Sequence, residues 1–162
     1  RYPVILVASD YIKNGFSNYT EAIQTLIDDV RQKYPAGETI FMAGFSGGAR
    51  MVLGYAFTNQ PDGLILCGAL ANANQIKALR CPIISISGMD DFNFVETTQY
   101  LFEDQTIPKN LKIELTNASH NWPDSQMLTN AIGFLRLSCQ NENIPSPTKT
   151  ELKIWVTNQF AN

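Results

Sequence analysis

A chain of 162 residues with an ordinary apolar fraction is long enough for one domain with a real hydrophobic core. Its net charge of -3 offers no basic footprint for nucleic acid, and no apolar run is long enough to span a bilayer. Cys67, Cys81 and Cys139 form no C-x-x-C pair, so neither a zinc site nor a complete disulfide framework is indicated, and no metal or organic cofactor is implied.

Strand-like runs alternate with helix-like segments along the chain. Pro3 to Ala8 is a continuous apolar run and reads as the first strand. Ile23, Leu26, Ile27, Val30 and Tyr34 then recur at helical spacing, with Asn18 and Glu21 as a capping-box pair, and Pro35-Ala36-Gly37 ends that helix. Thr39 to Ala43 is the next strand. Met51, Val52, Tyr55 and Ala56 give a helix that stops near Asn59-Gln60-Pro61. Leu64 to Leu70 and Pro82 to Ile86 follow as strands. Asn93 to Phe102 reads as a short helix, again with a capping pair in Asn93 and Glu96. Leu111 to Leu115 is the last strand, and Met127, Leu128, Ala131, Ile132 and Leu135 mark the apolar face of the helix after it. Continuous apolar strands between amphipathic helices predict a mostly parallel sheet covered on both faces, a three-layer α/β/α sandwich. Strand C-termini then share one edge, where such sheets keep their ligand sites. Residues 1–139 form this core. Residues 140–147, with Asn143-Ile144-Pro145-Ser146-Pro147, read as a linker, and 148–162 as a C-terminal helix carrying Leu152, Trp155, Val156 and Phe160 on one face.

Gly44-Phe45-Ser46-Gly47-Gly48 reads G-x-S-x-G between an apolar strand and a helix. A strand turning sharply into a helix strains the residue at the turn, and small flanking residues let the two elements pass. The P-loop alternative needs a Lys followed by Ser or Thr, where this chain has Ala49-Arg50-Met51. The glycine spacing does not match a dinucleotide-binding turn either. A serine hydroxyl becomes a useful nucleophile when a base takes its proton, and the chain has one histidine, His120, just past the last strand. The third member must orient the imidazole. Gly88-Met89-Asp90-Asp91 follows the preceding strand and offers two adjacent carboxylates, either of which suits the role.

The order Ser, Asp, His together with the elbow Gly-Phe-Ser-Gly-Gly-Ala-Arg resembles the α/β-hydrolase-fold serine hydrolases, in their esterase, dienelactone-hydrolase-like and prolyl-oligopeptidase-like branches. The similarity covers about residues 3 to 138. A loop G-x-x-D commonly supplies the acid there, which maps onto Gly88 and Asp91, and His120-Asn121-Trp122-Pro123 is similar to a motif of secreted esterases. The resemblance implies a carboxylesterase-like enzyme with Ser46, Asp91 and His120 as its triad and the Gly47 N–H as one oxyanion donor. Tyr11, Phe45 and Trp122 are the expected pocket walls around a small ester substrate. Ahead of Val4 to Tyr11, which resembles the family's later strand, there is no counterpart of the strand and loop that give the second donor. The expectation is therefore an α/β-hydrolase fold lacking its N-terminal strands, with the second donor unassigned. A catalytically silent binding module, or a peptidase or acyltransferase using the same triad, fits the same residues.

Overall fold

The computed structural model describes residues 4–35, 37–102 and 107–139, so the expected linker and C-terminal helix lie outside the described residues. Helix α1 spans Tyr19–Lys33 and leads to strand β1, Phe41–Phe45, and helix α2, Gly47–Asn59. Strand β2 (Gly63–Cys67), helix α3 (Ala73–Ala78) and strand β3 (Ile83–Gly88) come next. A 3-10 turn at Phe92–Phe94 runs into helix α4, Val95–Leu101, before strand β4, Leu111–Thr116, and helix α5, Ser125–Ser138. The strands form a four-stranded parallel sheet in the order β1-β2-β3-β4.

The strands' period of two divides their side chains between two cores. Leu64, Leu66, Ile83 and Leu111 point to the face covered by Val52, Leu53 and Ala56 of α2, Ile76 of α3 and Tyr100 of α4. Ile65, Cys67, Ile84 and Ile86 point the other way, onto Ala131 and Leu135 of α5. Because both faces of β2 and β3 are covered, all their residues are buried, which is why these strands read as unbroken apolar runs. Burial also pushes the Cys67 thiol up to about 12 and the Cys81 thiol to about 11, so both behave as small hydrophobes. No helix among the described residues is long and apolar enough to cross a membrane.

Several expectations shift. Residues 4–8 form no strand: Val4, Ile5, Leu6 and Val7 are exposed, and β1 ends the sheet on their side. An apolar run becomes a strand only where a neighbouring strand can take its backbone hydrogen bonds, and none of the described strands pairs with these residues. The Asn18 side chain makes no capping bond to α1, and Tyr34 falls just past that helix. Strand β1 begins two residues later than the apolar run, because Ile40 donates its N–H to the Asp62 carboxylate at 2.8 Å and so lies outside the ladder. Asp91 caps the 3-10 turn ahead of α4, its Oδ1 accepting from the Asn93 N–H; α4 itself starts after Phe94 with no side-chain cap, and Glu96 is engaged elsewhere. Helix α3, too short to leave a periodic signature, is held by a reciprocal Asn72–Gln75 capping box.

Ile84 sits fully buried as the second residue of β3. Ile84→Ala is expected to lower the unfolding free energy by about 2–5 kcal/mol in a urea titration. A loss well under about 1 kcal/mol would mean that α5 does not pack on this face.

Candidate active site

Four loops leave the C-terminal edge of the sheet, and three of them bring Ser46, Asp91 and His120 together. Ser46 follows directly on β1 with φ 54 and ψ -118, a backbone conformation that L-residues rarely adopt. Such a residue costs about 1–3 kcal/mol and persists only where its surroundings hold it. Here the Ser46 N–H donates to the Cys67 carbonyl at 2.8 Å, and its carbonyl accepts the first helical bond from Arg50 at 3.3 Å. Gly44 makes the tight return possible. A Cβ on Gly44 would lie 2.5 Å from the carbonyl carbon and oxygen of Gly48 and 2.6 Å from the Ala49 nitrogen. The Ser46 hydroxyl makes no capping bond to α2, so it is free to meet the histidine.

The other two residues hang from a continuation of the β3–β4 pair. Beyond the ladder, Met89 N–H donates to the Thr116 carbonyl and Asp90 N–H to the Ala118 carbonyl. Gly88 permits this closeness, since a Cβ there would fall among the backbone atoms of Ala118 and Ser119. The two loops therefore hold one another. Asp91 is buried and Asp90 exposed, and it is Asp91 that faces the imidazole. His120 Nδ1 lies 2.9 Å from Asp91 Oδ1 and 2.8 Å from Oδ2, and Nε2 lies 2.9 Å from Ser46 Oγ.

These contacts dictate the proton positions. An ionised carboxylate can only accept, so Nδ1 carries the hydrogen that points to Asp91. In the neutral ring Nε2 is then the acceptor, and the Ser46 hydroxyl donates to it. Asp91 is fixed in turn by the Asn93 N–H, which donates to Oδ1 at 2.7 Å. The Asn93 side-chain amide donates to the Gly68 carbonyl at 2.8 Å, tying this loop to the end of β2. Gly68 itself has φ +60, and a Cβ on it would meet Phe45 and Asp91.

Of the expected pocket residues, Phe45 lies 4.6 Å from the His120 ring, and Trp122 lies 5.5 Å from Phe45. Tyr11 packs edge-on against Phe16 at 5.2 Å and lines an open cleft with Asp10, Lys13, Asn14 and Gly15. Phe92, which sequence reasoning passed over, lies 4.2 Å from His120 on another side. Arg50 was likewise missed beyond its place in the motif. Its guanidinium donates to both oxygens of Glu96 at 3.2 and 2.8 Å, and Glu96 Oε2 also accepts from the Leu70 N–H. That pair ties the start of α2 to α4. Gly47, the expected oxyanion donor, opens α2, so its N–H has no acceptor within the helix. Among the described residues, no group of three or more His, Cys, Asp or Glu is arranged to hold a metal ion.

No protein-family model matches the chain, and no curated protein matches it. Among solved structures it is similar to an uncharacterized protein from Bacillus cereus, with TM-score 0.61 and 20% identity over 81% of this chain and 50% of that one. It also aligns with a predicted CIB-like hydrolase from Thermoplasma acidophilum, at TM-score 0.49 and 17% identity over 80% of this chain and 61% of that one. The first likeness establishes a shared α/β fold. The chain spans about half the length of that Bacillus protein.

The motif glycines differ in what they meet, and substitution separates them. Gly44→Ala forces β1 and α2 apart and is expected to destabilise the fold by at least about 2 kcal/mol. A Cβ on Gly48 meets nothing within 4 Å, so Gly48→Ala should leave stability unchanged or raise it by up to about 1 kcal/mol. Thermal unfolding of both variants checks this. Equal losses would show that the close passage is not at Gly44.

Proposed function

We propose that this chain carries an α/β-hydrolase fold, with the helix layers of a three-layer sandwich, and hydrolyses carboxylic esters by acyl transfer through Ser46. The observation that carries the reading is the unbroken chain of hydrogen bonds from buried Asp91 through both nitrogens of His120 to Ser46 Oγ. Each residue type has a separate task in it. Ser46 attacks the ester carbonyl while His120 Nε2 takes its proton, and Asp91 holds the ring in the tautomer that leaves Nε2 open. His120 then returns the proton to the departing alcohol. Water repeats the sequence on the acyl-enzyme, with His120 again as base. The Gly47 N–H is one donor to the carbonyl oxygen as it gains charge. Phe45 and Trp122, with Phe92 added, form the apolar surround of the reacting groups.

Strain at Ser46 supports the same reading. A hydroxyl at a costly φ and without a capping role has no structural use that would offset the strain. A silent binding module would need none of the three side chains in register. A peptidase or acyltransferase would use the same three, and a panel of aryl esters, aminoacyl amides and acyl thioesters ranks these substrate classes.

Labelling with a fluorophosphonate, followed by mass spectrometry, is expected to place the adduct on Ser46 and on nothing in Ser46→Ala. A folded protein that stays unlabelled would sink the proposal. Asp91→Asn should lower the ester rate by about four orders of magnitude, as loss of the correct tautomer does in such triads. Asp90→Asn should leave the rate within about three-fold, since the exposed Asp90 side chain makes no contact with His120. Rates from ester turnover, with circular dichroism as the check on folding, decide between them; equal losses would refute the assignment of Asp91.

A further inference from the structure

The proposed reaction places a negative charge on the carbonyl oxygen of the substrate. When Ser46 attacks, the carbonyl oxygen becomes an alkoxide, and the first turn of α2 aims the Gly47 N–H at it. Acyl-transfer sites ordinarily place two donors at that point, and removing one costs about 100- to 1000-fold in rate. The three atoms nearest the Cβ position of Gly47 all belong to the Asn14 side chain. A Cβ built on Gly47 would collide with the carboxamide of Asn14, 2.5 Å from its Cγ and 2.8 Å from its Nδ2. A Cβ and the nitrogen of the same residue are only about 2.5 Å apart by bond geometry. The Asn14 Nδ2 therefore lies within about 5 Å of the Gly47 nitrogen.

The loop that presents Asn14 is built rather than loose. Phe16 donates its N–H to the Lys13 carbonyl at 3.0 Å, closing a turn with Asn14 at its first corner and Gly15 at its second, where φ is +83. A positive φ at the second corner suits glycine and leaves the first corner pointing outward. Before this turn, Ser9 Oγ accepts from the N–H groups of Tyr11 and Ile12, at 3.2 and 3.3 Å. Tyr11 then packs on Phe16 across the turn. Among the described residues, the Asn14 amide has no hydrogen-bond partner. The Asn14 oxygen lies nearer Gly47 than its nitrogen does. A half-turn about Cβ–Cγ exchanges the two, and a negative oxygen between Asn14 and Gly47 favours the nitrogen.

We propose that Asn14 is the second oxyanion donor, its Nδ2–H reaching the substrate's carbonyl oxygen beside the Gly47 N–H. This rests on the acyl-transfer reading of Ser46. In the step concerned, Ser46 Oγ bonds to the acyl carbon as its proton passes to His120 Nε2, and the carbonyl π pair moves onto the oxygen that Asn14 and Gly47 hold. The adduct collapses when the carbonyl re-forms, the carbon–oxygen bond to the alcohol breaks, and the alcohol takes the proton from Nε2. Asn14 gains and loses no proton. The donor lies some 30 positions ahead of the serine in the chain and comes from a turn that no oxyanion motif marks.

The test compares the full chain with Asn14→Ala and Asn14→Asp, using p-nitrophenyl acetate as substrate and phenylboronic acid as the mimic of the tetrahedral anion. Asn14→Ala is expected to lower kcat about 100-fold or more with KM within about three-fold, and to weaken phenylboronate by a comparable factor. Asn14→Asp keeps the shape but loses the donor, so it should fall at least as far while circular dichroism stays unchanged. A merely structural role would lower thermal stability or raise KM and leave the boronate in step with the substrate. Either variant retaining kcat within about three-fold of the wild type overturns the assignment of Asn14 alone. A wild-type protein that neither turns over the ester nor labels at Ser46 overturns the acyl-transfer reading, and this assignment with it.

Discussion

The approach of β1 to α2 at Gly44 is the constraint on which the rest of the site depends. A helix that starts one residue after a strand must double back over it, and the backbone of Gly48 occupies the volume that a Cβ on Gly44 would need. Only with that volume empty can Ser46 take φ 54 and stand clear of both elements. The energy that holds it there comes from apolar burial further along. Val52, Leu53 and Ala56 pin α2 to the sheet over Leu64 and Leu66, so straightening the turn would lift a helix off its core. At about 25 cal/mol per Å² of apolar surface, a few such side chains outweigh the roughly 1–3 kcal/mol of local strain.

Precision at His120 has a different source. Histidine sits on a loop, and a loop by itself would not hold a ring within hydrogen-bond range of two partners. The β3–β4 ladder is prolonged by Met89 and Asp90, so the acid-bearing and histidine-bearing loops are strapped together before they diverge. Phe45 and Phe92 then contact the ring and narrow the space it can sweep. The Arg50–Glu96 pair adds a third tie, from the start of the serine's helix to the helix that follows Asp91. Partly exposed ion pairs contribute little to stability as a rule. What this one fixes is relative position, because Glu96 also accepts from the Leu70 backbone after β2.

How far the chain could be read from its letters follows from where each signal resides. Strands β2 and β3 are buried on both faces, so an unbroken apolar run identified them, and the parallel sheet followed from the helices between. Ser46, His120 and Asp91 were legible because their chemistry is rare in the chain and each stands just after a strand. Asp90 and Asp91 were inseparable by spacing; only burial and the bond to Nδ1 distinguish them. The run at 4–8 misled because apolar composition says nothing about whether a neighbouring strand exists. Phe92 and Arg50 carried no signal, since an aromatic in a loop and an arginine on a helix are common residues whose partners come from distant parts of the chain.

Residues 9–16 illustrate how a site can draw on a segment with no regular structure. Ser9 gathers two backbone N–H groups, Gly15 supplies the positive φ, and Tyr11 against Phe16 closes the arch. None of those interactions is strong, yet together they leave one side chain, Asn14, over Gly47. Loops can carry functional groups in this way because the scaffold beneath them is rigid. The scaffold here is the turn at Ser46, and the Asn14 carboxamide occupies the place that a Cβ on Gly47 would take. Gly44 therefore makes room for the helix behind the serine, while Gly47 makes room for the loop in front of it. Gly44 and Gly47 thus serve one strained residue through different neighbours, the backbone of α2 for the first and the Asn14 side chain for the second.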